Sequence, residues 1–188
     1  MENKFVQLIA ECRNCVKCKD IANKEIDGCP CTVFSNRVFS ANIMVVGQNP
    51  GKVEVLKGTP FRGKSGAFFD KAIKEVLKIS RKDLYITNVI KCYTPGNRPP
   101  TGEEVLNCRN ILLREIQYVK PNLLIALGNF ALQALAGRKG ITQVAGEIIL
   151  SYYGIPLLPL LHPSPLNMNK QKNAKEFYKH LEKVEEYL

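Results

Sequence analysis

The chain has 188 residues, 45% of them apolar, which suffices for one domain with a sizeable core that needs no disulfide or metal merely to fold. It has no run of about 18 apolar residues, and it starts with the polar Met1-Glu2-Asn3-Lys4, so neither a membrane span nor a signal peptide is expected. Lys and Arg outnumber Asp and Glu by 27 to 17, and ten basic against three acidic residues lie between Lys57 and Arg98. Such a concentration points to a polyanionic partner, nucleic acid above all. Seven cysteines, an odd number, read as thiols or metal ligands in a reducing intracellular compartment, the prokaryotic cytoplasm.

Taken in chain order, Phe5-Val6 and Leu8-Ile9 open an amphipathic segment. Residues 23–42 form the one long irregular stretch. Asn42 to Val46 is a strand that stops at Gly47. Ser65 to Ile79 carries apolar pairs at the helical period, with Ser65 as N-cap. Asp83 to Ile90 is a second strand. Thr101-Gly102-Glu103-Glu104 is a capping box that starts a helix through Val105, Cys108, Ile111, Leu112 and Ile116. Leu123 to Leu127 is a third strand, ended by Gly128, and Phe130 to Leu135 a short helix. Glu147 to Tyr153 reads as an edge strand and Ile155 to Leu161 as the fourth core strand. Ala174, Phe177, Tyr178, Leu181, Val184 and Leu188 make a closing amphipathic helix, with His180 on its exposed face.

Alternating strands and helices imply a single α/β domain over residues 1–188: a three-layer α/β/α sandwich around a mostly parallel, four-stranded sheet. In such sheets the site lies at the carboxyl ends of the strands, where this chain places Gln48-Asn49-Pro50-Gly51, Asn88, Gly128-Asn129 and His162-Pro163-Ser164. Gly58 to Ser65 fits the phosphate loop G-x-x-x-x-G-K-S. It is not entered from a core strand, Pro60 removes one N–H from its cradle, and no strand ends in an acid for Mg²⁺. A nucleotidase is therefore a minor alternative.

Three segments, Gly47-Gln48-Asn49-Pro50-Gly51, Thr59 to Gly66 and His162-Pro163-Ser164-Pro165-Leu166, occur in order, with Ile86 to Cys92 and Asn97-Arg98-Pro99-Pro100 between them. From about Cys12 to Asn167 the ordered set resembles the uracil-DNA glycosylase superfamily, closest to its iron–sulfur family 4. The resemblance implies a monofunctional hydrolase that flips uracil out of DNA and leaves an abasic site, with DNA as partner and a monomer as the acting form. Phe61 would stack on the base. Asn88 offers both the donor and the acceptor that uracil O4 and N3–H require, and His162 would donate to O2 as charge develops on the leaving ring. Gly47, Gln48, Asn49 and Gly51 would line the pocket and hold the attacking water. Pro163, Ser164 and Pro165 would pinch flanking phosphates, and Leu166 would fill the vacated stack.

Family 4 typically has Glu-Ala where this chain has Gln48-Asn49. Asn49 cannot act as a carboxylate base, so it would position water by hydrogen bonds alone, and a non-hydrolysing uracil- or DNA-binding member is the alternative reading. The resemblance also implies a [4Fe–4S] cluster held by an N-terminal C-x-x-C and two later cysteines. Cys92 and Cys108 match the later pair. Cys12/Cys15 and Cys15/Cys18 both fit the first, and the offset from the Phe5 to Ile9 pattern favours Cys12 and Cys15. Cys18, Cys29 and Cys31 are then unassigned, with a local zinc site as one use for them.

Overall fold

Five-residue apolar runs have no polar face to turn to solvent, so they are stable only as strands covered on both sides. The computed structural model, which describes residues 2–36 and 38–188, completely buries β3 (Ile43–Gly47) and β5 (Leu123–Leu127), and with them β4 (Leu84–Asn88), which ends in the polar Thr87 and Asn88. They pair in parallel with β7 (Pro156–Leu160), and β6 (Ile149–Leu150) adds a short antiparallel edge, giving the order β4-β3-β5-β7-β6. The sheet thus has five strands. The four parallel ones were expected, and the Glu147 to Tyr153 segment contributes only two paired residues.

Alternate strand residues feed two cores. Met44, Val46, Tyr85, Leu124 and Ala126 pack with α1 (Glu2–Arg13), α4 (Gly102–Val119) and α5 (Asn129–Ala136). Ile43, Val45, Ile86, Ile125 and Leu158 pack with α3 (Lys64–Leu77), α8 (Gln171–Leu181) and the following 3-10 turn, Glu182–Tyr187. This is the three-layer sandwich. Thr101 caps α4 through the predicted box. The cap of α3 is Gly63, not Ser65, because the helix begins one turn-residue earlier, at Lys64. His180 is half-buried rather than exposed, its ring lying over the place a Cβ of Gly146 would take.

A hairpin and three helices escape a reading by periodicity because each strand or helix is six residues long or less. The stretch before β3 contains a hairpin, β1 (Glu25–Ile26) with β2 (Cys29–Pro30). α2 (Lys52–Lys57) follows β3, and α7 (Pro165–Met168) follows β7. A four-residue helix, α6 (Ile141–Val144), precedes the edge strand. No helix among the described residues is long and apolar enough to cross a membrane.

Candidate active site

The chain reverses its direction of crossover at β3, since β4 lies on one side of it and β5 on the other. The carboxyl end of β3 is therefore an open crevice, the usual place for a site in this architecture. A cavity of about 390 Å³ opens there. Gln48, Asn49, Gly51, Phe61, Asn88 and His162 all line it, together with Pro165. Gly47, expected to line the pocket, does not reach the cavity surface and lies behind Phe61 and Asn88. A Cβ on Gly47 would stand 2.5 Å from the Phe61 ring and 2.6 Å from Asn88 Oδ1, so only glycine fits.

Asn88 ends β4 in register with Gly47 and is 2% exposed. Its backbone is held from below by Lys91, whose ammonium donates to Asn88 O at 2.6 Å, to Thr87 Oγ1 at 2.7 Å and to Glu115 Oε2 at 2.5 Å. Lys91 and Glu115 are both fully buried. Removing one partner would leave a bare charge in the core. Burial pushes the Glu115 carboxyl up, against the pull of Lys91.

Phe61 is 7% exposed and has a φ of +53°, a left-handed conformation costly for an aromatic residue. Hydrogen bonds on both sides hold it there. The Arg81 guanidinium, paired with Asp70, donates to Pro60 O at 3.2 Å and Phe61 O at 2.6 Å. Glu54 of α2 accepts from the backbone N–H groups of Arg62 and Gly63 at 2.7 Å each, and from Gly51 N–H at 3.0 Å. One carboxylate thus joins the Gly47–Gly51 loop to the Phe61 loop. It also fills the cradle of the phosphate-loop match, which is entered from α2 through its C-cap Gly58 instead of from a strand. The nucleotidase alternative loses its binding site on both counts.

His162 follows β7, half-buried, with its ring 6.1 Å from that of Phe61. Burial lowers its pKa below the ordinary value, opposed by the Glu54 charge. This shift favours the neutral imidazole, which still carries one N–H to donate. Beyond it Ser164 is half-buried, Pro163 is buried, and Leu166 is 82% exposed at the rim. Sequence reasoning missed Glu54, Lys52, Lys64, Thr94 and Asn97. Asn49 donates to Thr94 and Asn97, and the other three line the cavity. The spacing of Glu54 after Gly51, three residues into a helix start, is a capping-box signal that could have found it.

Five cysteines gather on the far side of β4. Cys15, Cys18, Cys92 and Cys108 each lie within electrostatic reach of the other three. Cys12 is 2% exposed beneath them and shares its surroundings with Lys91 and Glu115. Cys12 belongs to the apolar stripe of α1 with Phe5 and Leu8, a helical spacing that marks it as core. The geometry therefore favours Cys15/Cys18 over Cys12/Cys15 as the first pair. Burial pushes the Cys92 thiol up to about 12 and raises those of Cys18 and Cys108, so neutral thiols result unless a metal centre takes up their charge. Three of the four sulfurs already have hydrogen bonds. Asn107 Nδ2 donates to Cys18 at 3.5 Å, Thr32 lies 3.5 Å from Cys92, and the Lys91 backbone N–H donates to Cys108. Hydrogen-bonded, buried thiolates are the donor set of an iron–sulfur cluster. Among the described residues no three such side chains are close enough for a single metal ion, including around Cys29 and Cys31. The zinc alternative therefore finds no support, and it is the all-thiol donor set of Cys15, Cys18, Cys92 and Cys108 that suits a cluster.

Comparison with known proteins gives a consistent result. The family model described as the uracil DNA glycosylase superfamily matches residues 35–187. A type-4 uracil-DNA glycosylase of Thermotoga maritima is 34% identical over 167 residues, 83% of this chain and 86% of that protein. A type-4 enzyme of Saccharolobus solfataricus is 34% identical over 170 residues, 85% of this chain and 76% of that one. A type-5 uracil-DNA glycosylase of Pyrobaculum aerophilum is 35% identical over 148 residues, 70% of this chain and 65% of its own length.

Proposed function

The chain belongs to the uracil DNA glycosylase superfamily, and from that premise we propose that it is a monofunctional uracil-DNA glycosylase that cleaves the bond between uracil and deoxyribose in DNA and leaves an abasic site. The observation that carries this reading is the convergence of Gln48, Asn49, Phe61, Asn88 and His162 on one cavity. The sugar carbon is out of reach inside a duplex, so the nucleotide must leave the stack. Phe61 stacks on the extruded ring, and Asn88 reads its O4 and N3–H. Cytosine presents a donor where uracil has O4, so a fixed amide discriminates between them.

As the glycosidic bond breaks, its electron pair goes to the base. His162, neutral and aimed from the β7 end, donates to O2 and stabilises that charge; placed donors of this kind are worth about 3–4 kcal/mol in acyl-transfer sites. Asn49 accepts a hydrogen bond from the water that attacks the sugar carbon. The proton this water sheds balances the charge of the departing uracil anion. Lys52 and Lys64 at the cavity rim attract the strand. Ser164 with Pro163 and Pro165 holds flanking phosphates, and the exposed Leu166 fills the gap left in the stack.

Cys15, Cys18, Cys92 and Cys108 would hold the [4Fe–4S] cluster that the family resemblance implies. When bound, it supplies a structural tie between the segment after α1, the end of β4 and helix α4. The acting form we propose is a monomer, and seven cysteines without a disulfide among the described residues suit a reducing cytoplasm.

A panel of end-labelled oligonucleotides, each with one altered base, tests the reading. Alkali-dependent strand breaks at uracil are expected. Tight binding to uracil DNA without breaks would make the chain a non-hydrolysing member instead.

A further inference from the structure

Asn49 is held by its nitrogen. Nδ2 donates to Asn97 Oδ1 at 3.0 Å, to Thr94 Oγ1 at 3.1 Å and to Pro50 O at 3.2 Å. Asn97 cannot set the sense of this amide, because its own amide can turn over and present nitrogen instead. Thr94 can. Its hydroxyl has one proton, and that proton goes to Arg98 O at 2.5 Å. Towards Asn49 it has only lone pairs, so an oxygen of Asn49 turned that way would meet repulsion, and a nitrogen meets an acceptor.

The Thr94 side is itself held firmly. Thr94 is fully buried, and its carbonyl accepts from Asn97 N–H at 2.7 Å. The Arg98 guanidinium grips Glu104 at 2.7 and 3.0 Å, and Glu104 caps α4 by accepting from Thr101 N–H at 2.7 Å. Rigidity therefore runs from the start of α4 through Arg98 and Thr94 to Asn49.

The sense of the amide matters because its two ends do opposite things to water. Oδ1 accepts the water's proton and leaves its lone pair free for the sugar carbon. Nδ2 would engage that lone pair and hold the water unreactive. A carboxylate at this position has two equivalent oxygens and needs no such setting. An asparagine does.

We infer that Thr94 is a positioning residue that fixes the Asn49 amide with Oδ1 towards the attacking water, an inference that rests on the reading of Asn49 as the group that holds this water. Thr94 acts through Asn49 and touches no substrate. Its effect must therefore vanish when the Asn49 side chain is gone.

The test is a double-mutant cycle on a uracil-containing single strand, read as single-turnover rates, with DNA affinity measured alongside. Thr94→Val should slow excision about tenfold, the scale of one hydrogen bond, at unchanged DNA affinity. Thr94→Ser should restore the rate to within about twofold, since it keeps the hydroxyl. In the Asn49→Ala background Thr94→Val should add nothing. A wild-type rate for Thr94→Val overturns the inference, and so does equal slowing in both backgrounds, which would make Thr94 part of the scaffold. If Thr94→Val does not fold, Thr94→Ala runs the same cycle, and failure of both to fold also assigns Thr94 to the scaffold. Wild-type excision by Asn49→Ala is a separate result: it removes the reading of Asn49 itself.

Discussion

Gly47 and Asn88 are register partners on adjacent parallel strands, and the space a Gly47 side chain would need is taken by Asn88 Oδ1 and the Phe61 ring. The residue proposed to read the base and the residue proposed to stack on it thus meet over a glycine.

Gly47→Ala should accordingly disable the site while leaving the fold intact. A methyl at 2.5–2.6 Å from both groups must displace one of them. A misplacement of about 1 Å costs on the order of 10²-fold in rate, and overpacking costs about 1–3 kcal/mol of stability. Single-turnover excision together with a thermal melt checks this. Activity near wild type would show that the packing behind Phe61 and Asn88 yields.

His162→Ala should slow excision by about 10²–10³-fold, the effect of removing a placed donor. The pH profile carries a sign. Burial lowers the His162 pKa from its ordinary value, so the neutral imidazole persists to lower pH than in a free histidine. The wild-type rate should hold as pH falls from 8 towards the ordinary histidine range and change only below it. Because the unfolded chain then binds more protons than the native one, the contribution of His162 to stability is complete above the unfolded pKa and is lost as pH falls through the folded value. A rate that declines between pH 8 and 6.5 in wild type but not in His162→Ala would contradict a neutral donor.

The cysteine assignment separates by iron content. Cys15→Ala, Cys18→Ala, Cys92→Ala and Cys108→Ala should each lower bound iron and visible absorption, since three thiolates hold a cluster less well than four. Cys12→Ala should keep its iron and lose only a little packing. Full iron in Cys18→Ala with loss in Cys12→Ala would restore the Cys12/Cys15 pair.

Asn49→Asp should be tolerated or raise the rate on uracil. A carboxylate there stabilises positive charge on the nearby sugar more than it repels the delocalised charge of the leaving base, since Coulomb energy falls with distance. Asn97 can turn its amide, and Thr94 can redirect its hydroxyl proton from Arg98 O, to donate to the carboxylate. Asn49→Ala should lose water positioning and slow excision by about 10²-fold. Single-turnover rates of the three proteins on one oligonucleotide decide the order.

The strands and the residues at their ends were legible before any coordinates. An unbroken apolar run such as Leu123 to Leu127 has one way to satisfy its backbone and bury its side chains, and a parallel sheet of such runs puts its chemistry at the carboxyl ends. That logic located Asn88 and His162 because both lie at the ends of such runs. What the tertiary structure alone decided are the relations between side chains that come from separate elements. Glu54 is an ordinary helix-start carboxylate in sequence, yet it bridges two loops. Thr94 and Asn97 lie 45 and 48 positions from Asn49, yet both accept from its amide nitrogen. Lys91 is a basic residue, yet it is fully buried under Asn88 with Glu115, 24 positions away. Cys12 and Cys15 satisfy the same spacing rule as Cys15 and Cys18, and only the packing of α1 turns Cys12 into the core. Local pattern determines which face of an element is apolar; which polar groups meet across elements depends on register and packing angle, and neither of those is a property of any short segment.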